Sequence, residues 1–373
     1  MHRGIQEFVQ TVTLRGPALG VVLNPPASGA DLSHLEHLIG SPLPADLRVL
    51  LQRFNGAVLP SGTLLGVGAP VGQTTIEATM KELAERMECS FLDPELPLPF
   101  HRNAEGALLA FDRTGGPVAD TWPIIDYFVE TGEVRLVYRT LDGWCRAMVA
   151  EWTSDDYFDD FTLDKYLRAG LRHAAIEPDV ASAHATVAHA LKRAGRPEEA
   201  LAAYLRAARC VPPLPWCDWE ALKIAVMIRD DASALEAATR LSKRAPPERW
   251  VLRETTPGRV ADLIAQVAQR ASDPAPWLRL LDLLAEQVHD ADDREQVTGV
   301  RRALATGQPL PPSRPSRASV ARVFADPERW WADVQQGYAE GRIRDEDVLL
   351  DPTFAPIRAT RDLGALLRIR REF

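Results

Sequence analysis

Apolar residues recur at two different periods along this 373-residue chain, and the change of period divides it. Residues 1–29 read as a lead-in that ends at the Pro/Gly/Ser break NPPASGAD. Leu32, Leu35, Leu38 and Ile39 then stand at helical spacing, and Leu47, Leu50, Leu51 and Phe54 repeat it after SPLP. Pro44 suits a first helical turn, where its missing N–H costs nothing. Asn55-Gly56 suits the left-handed close of that helix. From Thr63 to Glu151 the pattern turns mostly to strands, at 106–112, 123–130 and 134–140, with one helix at 76–88. Thr131-Gly132-Glu133 between the last two strands predicts a hairpin. Helices followed by consecutive strands predict an α+β domain over residues 30–152.

From Asp155 the pattern is almost wholly helical, punctuated by prolines. Pro178, Pro212 and Pro246 are 34 residues apart, as are Leu167, Leu201 and Leu235, and Ala200 pairs with Ala234 at the same step. Paired helices at that period resemble tetratricopeptide repeats. The best unit is 181–214, with Ala188, Ala200 and Ala207 where two helices approach closely, Gly195 ending the first helix and Pro197 opening the second. The unit 215–248 is a degenerate copy with Leu222 and Leu241 where small residues are expected. The reading is therefore an all-α tetratricopeptide-like array over 153–306, a Pro-rich linker at 307–317, and a C-terminal helical segment over 318–373 that closes in a basic helix.

In that repeat class the first helix of each unit lines a concave groove at its second, fifth, ninth and twelfth positions. These are Ser182, Ala185, His189 and Lys192 in one unit, and Trp216, Trp219, Lys223 and Val226 in the next. Lysine is scarce, five among 43 basic residues, so Lys192 and Lys223 on one face stand out. The resemblance implies a candidate partner-binding groove containing Ser182, His189, Lys192, Trp216, Trp219 and Lys223, with burial of Trp216 and Trp219 under the next helix at least as good a reading. Ala185 and His189 depart from the lysine and asparagine that peptide-carboxylate binders of the class carry at the fifth and ninth positions.

The segment LEHLIGSPLPADLRVLLQRFNGA resembles the opening pattern of the SUKH superfamily, which includes fungal regulators of cell-wall assembly and bacterial immunity proteins. The matching residues are Glu36, Gly40, Leu43-Pro44, Leu47, Leu50, Phe54 and Asn55-Gly56. The strand ending at Asp112 and the helix LDGWCRAMVAEW, with Trp144 and Trp152 as core anchors, are similar to later parts of the family. The resemblance implies an α+β binding domain without catalytic residues. In bacterial members such a domain often neutralises a toxin by direct binding.

Composition narrows the class further. With 46% hydrophobic and 25% charged residues the chain is globular, and no apolar run approaches a membrane span. The four cysteines form no CxxC pair, so neither a disulfide framework nor a zinc site is indicated. The net charge of −9 argues against a nucleic-acid binder. Residues 1–152 carry 11 basic and 18 acidic side chains, so the acidity belongs mainly to the first domain and favours a basic partner there.

Three motifs suggest chemistry and are better read as structure. Gly66, Gly68 and Gly72 precede a helix, yet Gln73 stands where a phosphate loop needs its lysine. His34 and His37 lack a third metal ligand at supporting spacing. DDYFDD, residues 155–160, lacks the glycine and glutamate of a calcium loop and reads as an acidic cap on the helix that follows. No cofactor, metal or catalytic residue is expected. The sequence thus reads as a cytoplasmic, non-enzymatic bacterial protein of the immunity type, binding a protein partner such as a basic toxin domain. A regulatory scaffold that recruits partners through its repeats is the alternative, and a nucleotide-dependent enzyme using the Gly66–Gly72 loop is the least favoured reading.

Overall fold

The computed structural model describes residues 2–68, 74–103, 106–116, 121–128, 133–243, 256–313 and 327–372. The chain divides into two compact units, 1–160 with 171–183, and 161–170 with 184–373.

The first unit opens with helices α1 (Arg3–Leu14) and α2 (Gly16–Leu19) and strand β1 (Val22–Leu23). The first 29 residues are therefore no mere lead-in. Ile5, Phe8 and Val12, at helical spacing, are buried in the same core as Trp144 and Trp152. Helices α3 (Gly29–Ile39) and α4 (Ala45–Leu51) follow, then β2 (Ala57–Leu59), β3 (Gly62–Leu64), α5 (Ile76–Met87), β4 (Leu98–Asn103), β5 (Leu108–Phe111), β6 (Ile124–Phe128), β7 (Glu133–Tyr138) and α6 (Leu141–Trp152). The strands lie in one antiparallel sheet in sequence order, the topology that short hairpin connections favour. β6 and β7 pair as expected, with Phe128 opposite Glu133, while Thr131 and Gly132 of the expected turn lie outside the described residues.

Two local expectations change. Pro44 sits at the N-cap of α4, just before the first turn. That helix ends at Leu51, so Asn55 does not close it. The Asn55 amide instead accepts from Val67 N–H at 2.7 Å and donates to Val67 O at 2.8 Å, pairing with an extended segment as a strand would.

The helical part comprises α7 (Leu163–Ile176), α8 (Ala181–Arg193), α9 (Pro197–Arg209), α10 (Pro215–Ile228), α11 (Asp231–Lys243), α12 (Pro257–Ala268), α13 (Ala275–Gln287), α14 (Ala291–Thr306), α15 (Pro327–Ala339), α16 (Asp345–Leu350), α17 (Ala355–Thr360) and α18 (Gly364–Leu367). The helix boundaries of 181–214 and of 215–243 follow the 34-residue period, and Ala188, Ala200, Ala207 and Ala234 are fully buried. Pro246 lies outside the described residues.

The C-terminal segment differs from the expected basic helix. It is broken into a 3-10 turn (Pro352–Phe354), α17 and α18, with Asp362 accepting from Gly364 N–H at 3.0 Å at the last break. It belongs to the second unit, and its Val348, Leu349, Leu350, Ile357, Leu366 and Leu367 are buried. Arg371 N–H donates to Arg193 O at 2.8 Å, which lays the tail along the turn after α8. Gly195, at φ +76, ends that turn, and a Cβ there would lie 2.6 Å from Arg368 O. Gly195→Ala therefore combines left-handed strain with a backbone clash. It should cost about 1–3 kcal/mol in urea unfolding, whereas substitutions at the uncrowded Gly307 should cost less.

Candidate binding sites

The groove residues named from the repeat pattern meet one another through two lysines, but they do not line an open face. Lys192 on α8 and Lys223 on α10 are 11% and 2% exposed. Glu220 bridges them, at 2.7 Å from Lys192 Nζ and 2.6 Å from Lys223 Nζ. Asp345 and Glu346, the first two residues of α16, complete the cluster. Lys192 pairs with Asp345, Lys223 pairs with Glu346, and Asp345 lies 3.9 Å from Lys223. Tyr338 Oη donates to Asp345 at 2.6 Å, and the Arg371 guanidinium lies 4.3 Å above the Tyr338 ring.

Burial works against every charge in this cluster, yet the arrangement overcomes it. Asp345, desolvated but facing Lys192, Lys223 and the Tyr338 hydroxyl, is held well below the usual carboxylate range. Desolvation likewise opposes the Lys192 ammonium, but Asp345 and Glu220 keep it above the ordinary lysine range. Lys223 is raised for the same reason, with Glu220 and Glu346 outweighing burial and Lys192.

The remaining groove residues scatter. Trp219 is buried, and Trp216 is half-buried with its ring 5.9 Å from that of Tyr204. Ser182 donates to Leu136 O at 2.7 Å within the first unit, and His189 is exposed. Of the six, Ser182, Lys192, Trp219 and Lys223 are thus buried. Two buried cations cannot stay unpaired, and the acidic start of α16 supplies the carboxylates. Glu220, Tyr338, Asp345 and Glu346 were missed in the sequence. The run Arg344-Asp345-Glu346-Asp347 was the available signal, but nothing local links it to α8 and α10.

The motifs set aside as structural have structural partners. Gly68 takes φ +72, and its N–H donates to Glu77 Oε1 on α5 at 2.9 Å. A Cβ on Gly66 would meet Asn55 O at 2.7 Å, while Gly72 and Gln73 lie outside the described residues. His34 and His37 are exposed. Among the described residues no group of three or more His, Cys, Asp or Glu side chains is arranged to hold a metal. Just after the aspartates of 155–160, Thr162 accepts from Lys165 N–H at 3.2 Å at the start of α7.

In the first unit one group of exposed acidic side chains lies at 155–160, and another lies where α5 leads to β4. Glu85, Glu88 and Glu95 are exposed there, and Leu92 is 63% exposed between them. This loop is pinned from beneath. The buried Arg113 guanidinium donates to Phe91 O, Leu96 O and Ile39 O at 3.1, 3.2 and 2.9 Å. Burial, and then Asp93 and Glu95, push the Cys89 thiol up, so it is no activated nucleophile.

The opening motif is a clasp on the adjoining turn. Glu36 accepts from Leu43 N–H at 2.9 Å and pairs with Arg48, while Gly40 ends α3. Although partly desolvated, the Glu36 carboxyl is held below its usual range by Arg48 and that N–H. Asp112 makes the turn after β5, accepting from Thr114 N–H at 2.9 Å and Thr114 Oγ1 at 2.6 Å.

Residues 26–147 match the SMI1 / KNR4 family (SUKH-1). The SUKH-1 match begins just before α3 and ends within α6, so it covers the clasp, the Arg113-braced loop and strands β2 to β7. Neither the curated proteins nor the solved structures contain a match to the chain. Among the described residues no helix is long and apolar enough to cross a membrane.

Proposed function

We propose that the protein is a non-enzymatic, bacterial, immunity-type protein of the cytoplasm that neutralises a toxin by direct binding. The observation that carries the reading is the SUKH-1 match over residues 26–147. The acidic excess of that part of the chain, Glu85 near the end of α5 and the braced loop bearing Glu88, Leu92 and Glu95 favour a basic partner surface. Exposed carboxylates around an apolar side chain speed encounter with a cationic protein and leave the contact itself to Leu92. The helical hairpins from α8 to α11 support a second reading, a regulatory scaffold whose tetratricopeptide-like repeats recruit another protein.

The test is co-expression with the product of the adjacent gene. The immunity reading expects growth to be restored and a stoichiometric complex to form. Glu88→Lys with Glu95→Lys should slow association about tenfold or more and flatten its salt dependence. An unrelieved growth defect, or several unrelated partners held through residues 184–243, would turn the reading toward the scaffold.

A further inference from the structure

The arginines of the C-terminal stretch fall into two groups by position. Arg368 pairs with Glu198, Arg370 with Asp164 and Glu372, and Arg371 stacks on Tyr338. Arg358 and Arg361 line a cleft of about 360 Å³ in the second unit, together with Arg229 at the end of α10 and Arg270 at the end of α12. Gln266 and Gln269 are the other polar side chains of its wall, and among the described residues no carboxylate lines it.

Arg358 meets neutral partners, and the carboxylate that Arg270 meets is not part of the cleft wall. Arg358 donates to two neutral groups, Val348 O and Asp351 O, each at 2.8 Å. Burial lowers its pKa, while Asp351 and Asp262, which are absent from the cleft wall, partly compensate. Arg270 pairs with Asp231 at 2.7 Å on the rim and also reaches the Val226 carbonyl, offsetting the negative end of α10. Arg229 is exposed at the cleft mouth.

The geometry points to a binding site for a small molecule carrying two or more oxyanion groups, phosphate or carboxylate. The volume falls within the range of small-molecule sites. Guanidinium forks pair bidentately with such oxygens, and neutral amides such as Gln269 add orientation. The acidity of the whole chain is no obstacle, since it belongs mainly to residues 1–152 and the local field of the cleft decides.

Titration calorimetry on the full chain tests this with pyrophosphate and with citrate, against sodium chloride at matched ionic strength. One saturable site per chain is expected, and the tighter of the two probes names the anion class. Arg229→Gly suits the left-handed backbone there, φ +62, and should weaken binding tenfold or more without altering the circular dichroism. Arg229→Lys should recover only part of that loss, and Arg361→Gln should weaken binding independently. No heat beyond the chloride control overturns the proposal, as does binding that Arg229→Gly and Arg361→Gln both leave unchanged.

Discussion

Lys223→Ala should destabilise the second unit by about 3–5 kcal/mol, the usual cost of removing one partner from a buried ion pair. The side chain is 2% exposed and holds Glu220 and Glu346, with Asp345 at 3.9 Å. Its loss leaves three carboxylates facing the Lys192 ammonium alone, and it also removes a cation 5.7 Å from the Trp219 ring. Urea unfolding followed by hydrogen exchange in α10 and α16 measures the loss, and unchanged protection there would refute it.

The pH dependence gives a second signature with opposite signs. In the wild type Asp345 and Glu220 titrate below their ordinary values. Their contribution is therefore present above about pH 4 and is lost as pH falls through the depressed values. In Lys223→Ala the surplus carboxylates repel one another and bind protons more readily. The deficit of the variant should then shrink as the solution is acidified. Replacing Lys223 by Met together with Glu346 by Leu should restore much of the stability, because an apolar pair avoids the desolvation both charges suffer.

Trp144→Ala should cost the first unit about 3–5 kcal/mol, as large-to-small changes of buried aromatics do. The indole is fully buried, with ring centroids 5.2 Å from Phe8, 5.3 Å from Phe100 and 5.5 Å from His101. Removing it opens a cavity against α1, β4 and the body of α6 at once. Its N–H has no acceptor among the described residues, so Trp144→Phe should be much milder. Burial pushes His101 down to about 4, and a cavity that admits water should bring it back toward the ordinary histidine value. Thermal unfolding and an NMR titration of His101 check both parts. A His101 value that stays near 4 in a destabilised Trp144→Ala would mean the cavity remains dry.

The core of the first unit was legible because its signals are local. The spacing of Leu32, Leu35, Leu47 and Leu50 fixes which helix faces are buried, and Glu36, Gly40 and Leu43 form a clasp within eight residues. Ile5, Phe8 and Val12 carried the same helical spacing, but a short amphipathic segment does not state which core it joins. The hairpins of the array were legible from the 34-residue period and from alanines that admit close helix approach. The exposure of the groove face was not legible, since it depends on what packs against a helix from elsewhere in the chain.

The sequence by itself determined the period of each segment, the change from mixed to helical architecture after residue 152, the uneven charge and the SUKH-type motif. These rest on interactions spanning a few residues, or on composition alone. Tertiary structure alone decided that Lys192 and Lys223 meet Asp345 and Glu346, with 123 positions separating Lys223 from Glu346. It also decided that Arg229, Arg270, Arg358 and Arg361 share one cleft. Charges so distant in sequence have no local signature. They find one another because helices packed by their apolar faces bring them to positions where a buried charge has to be matched.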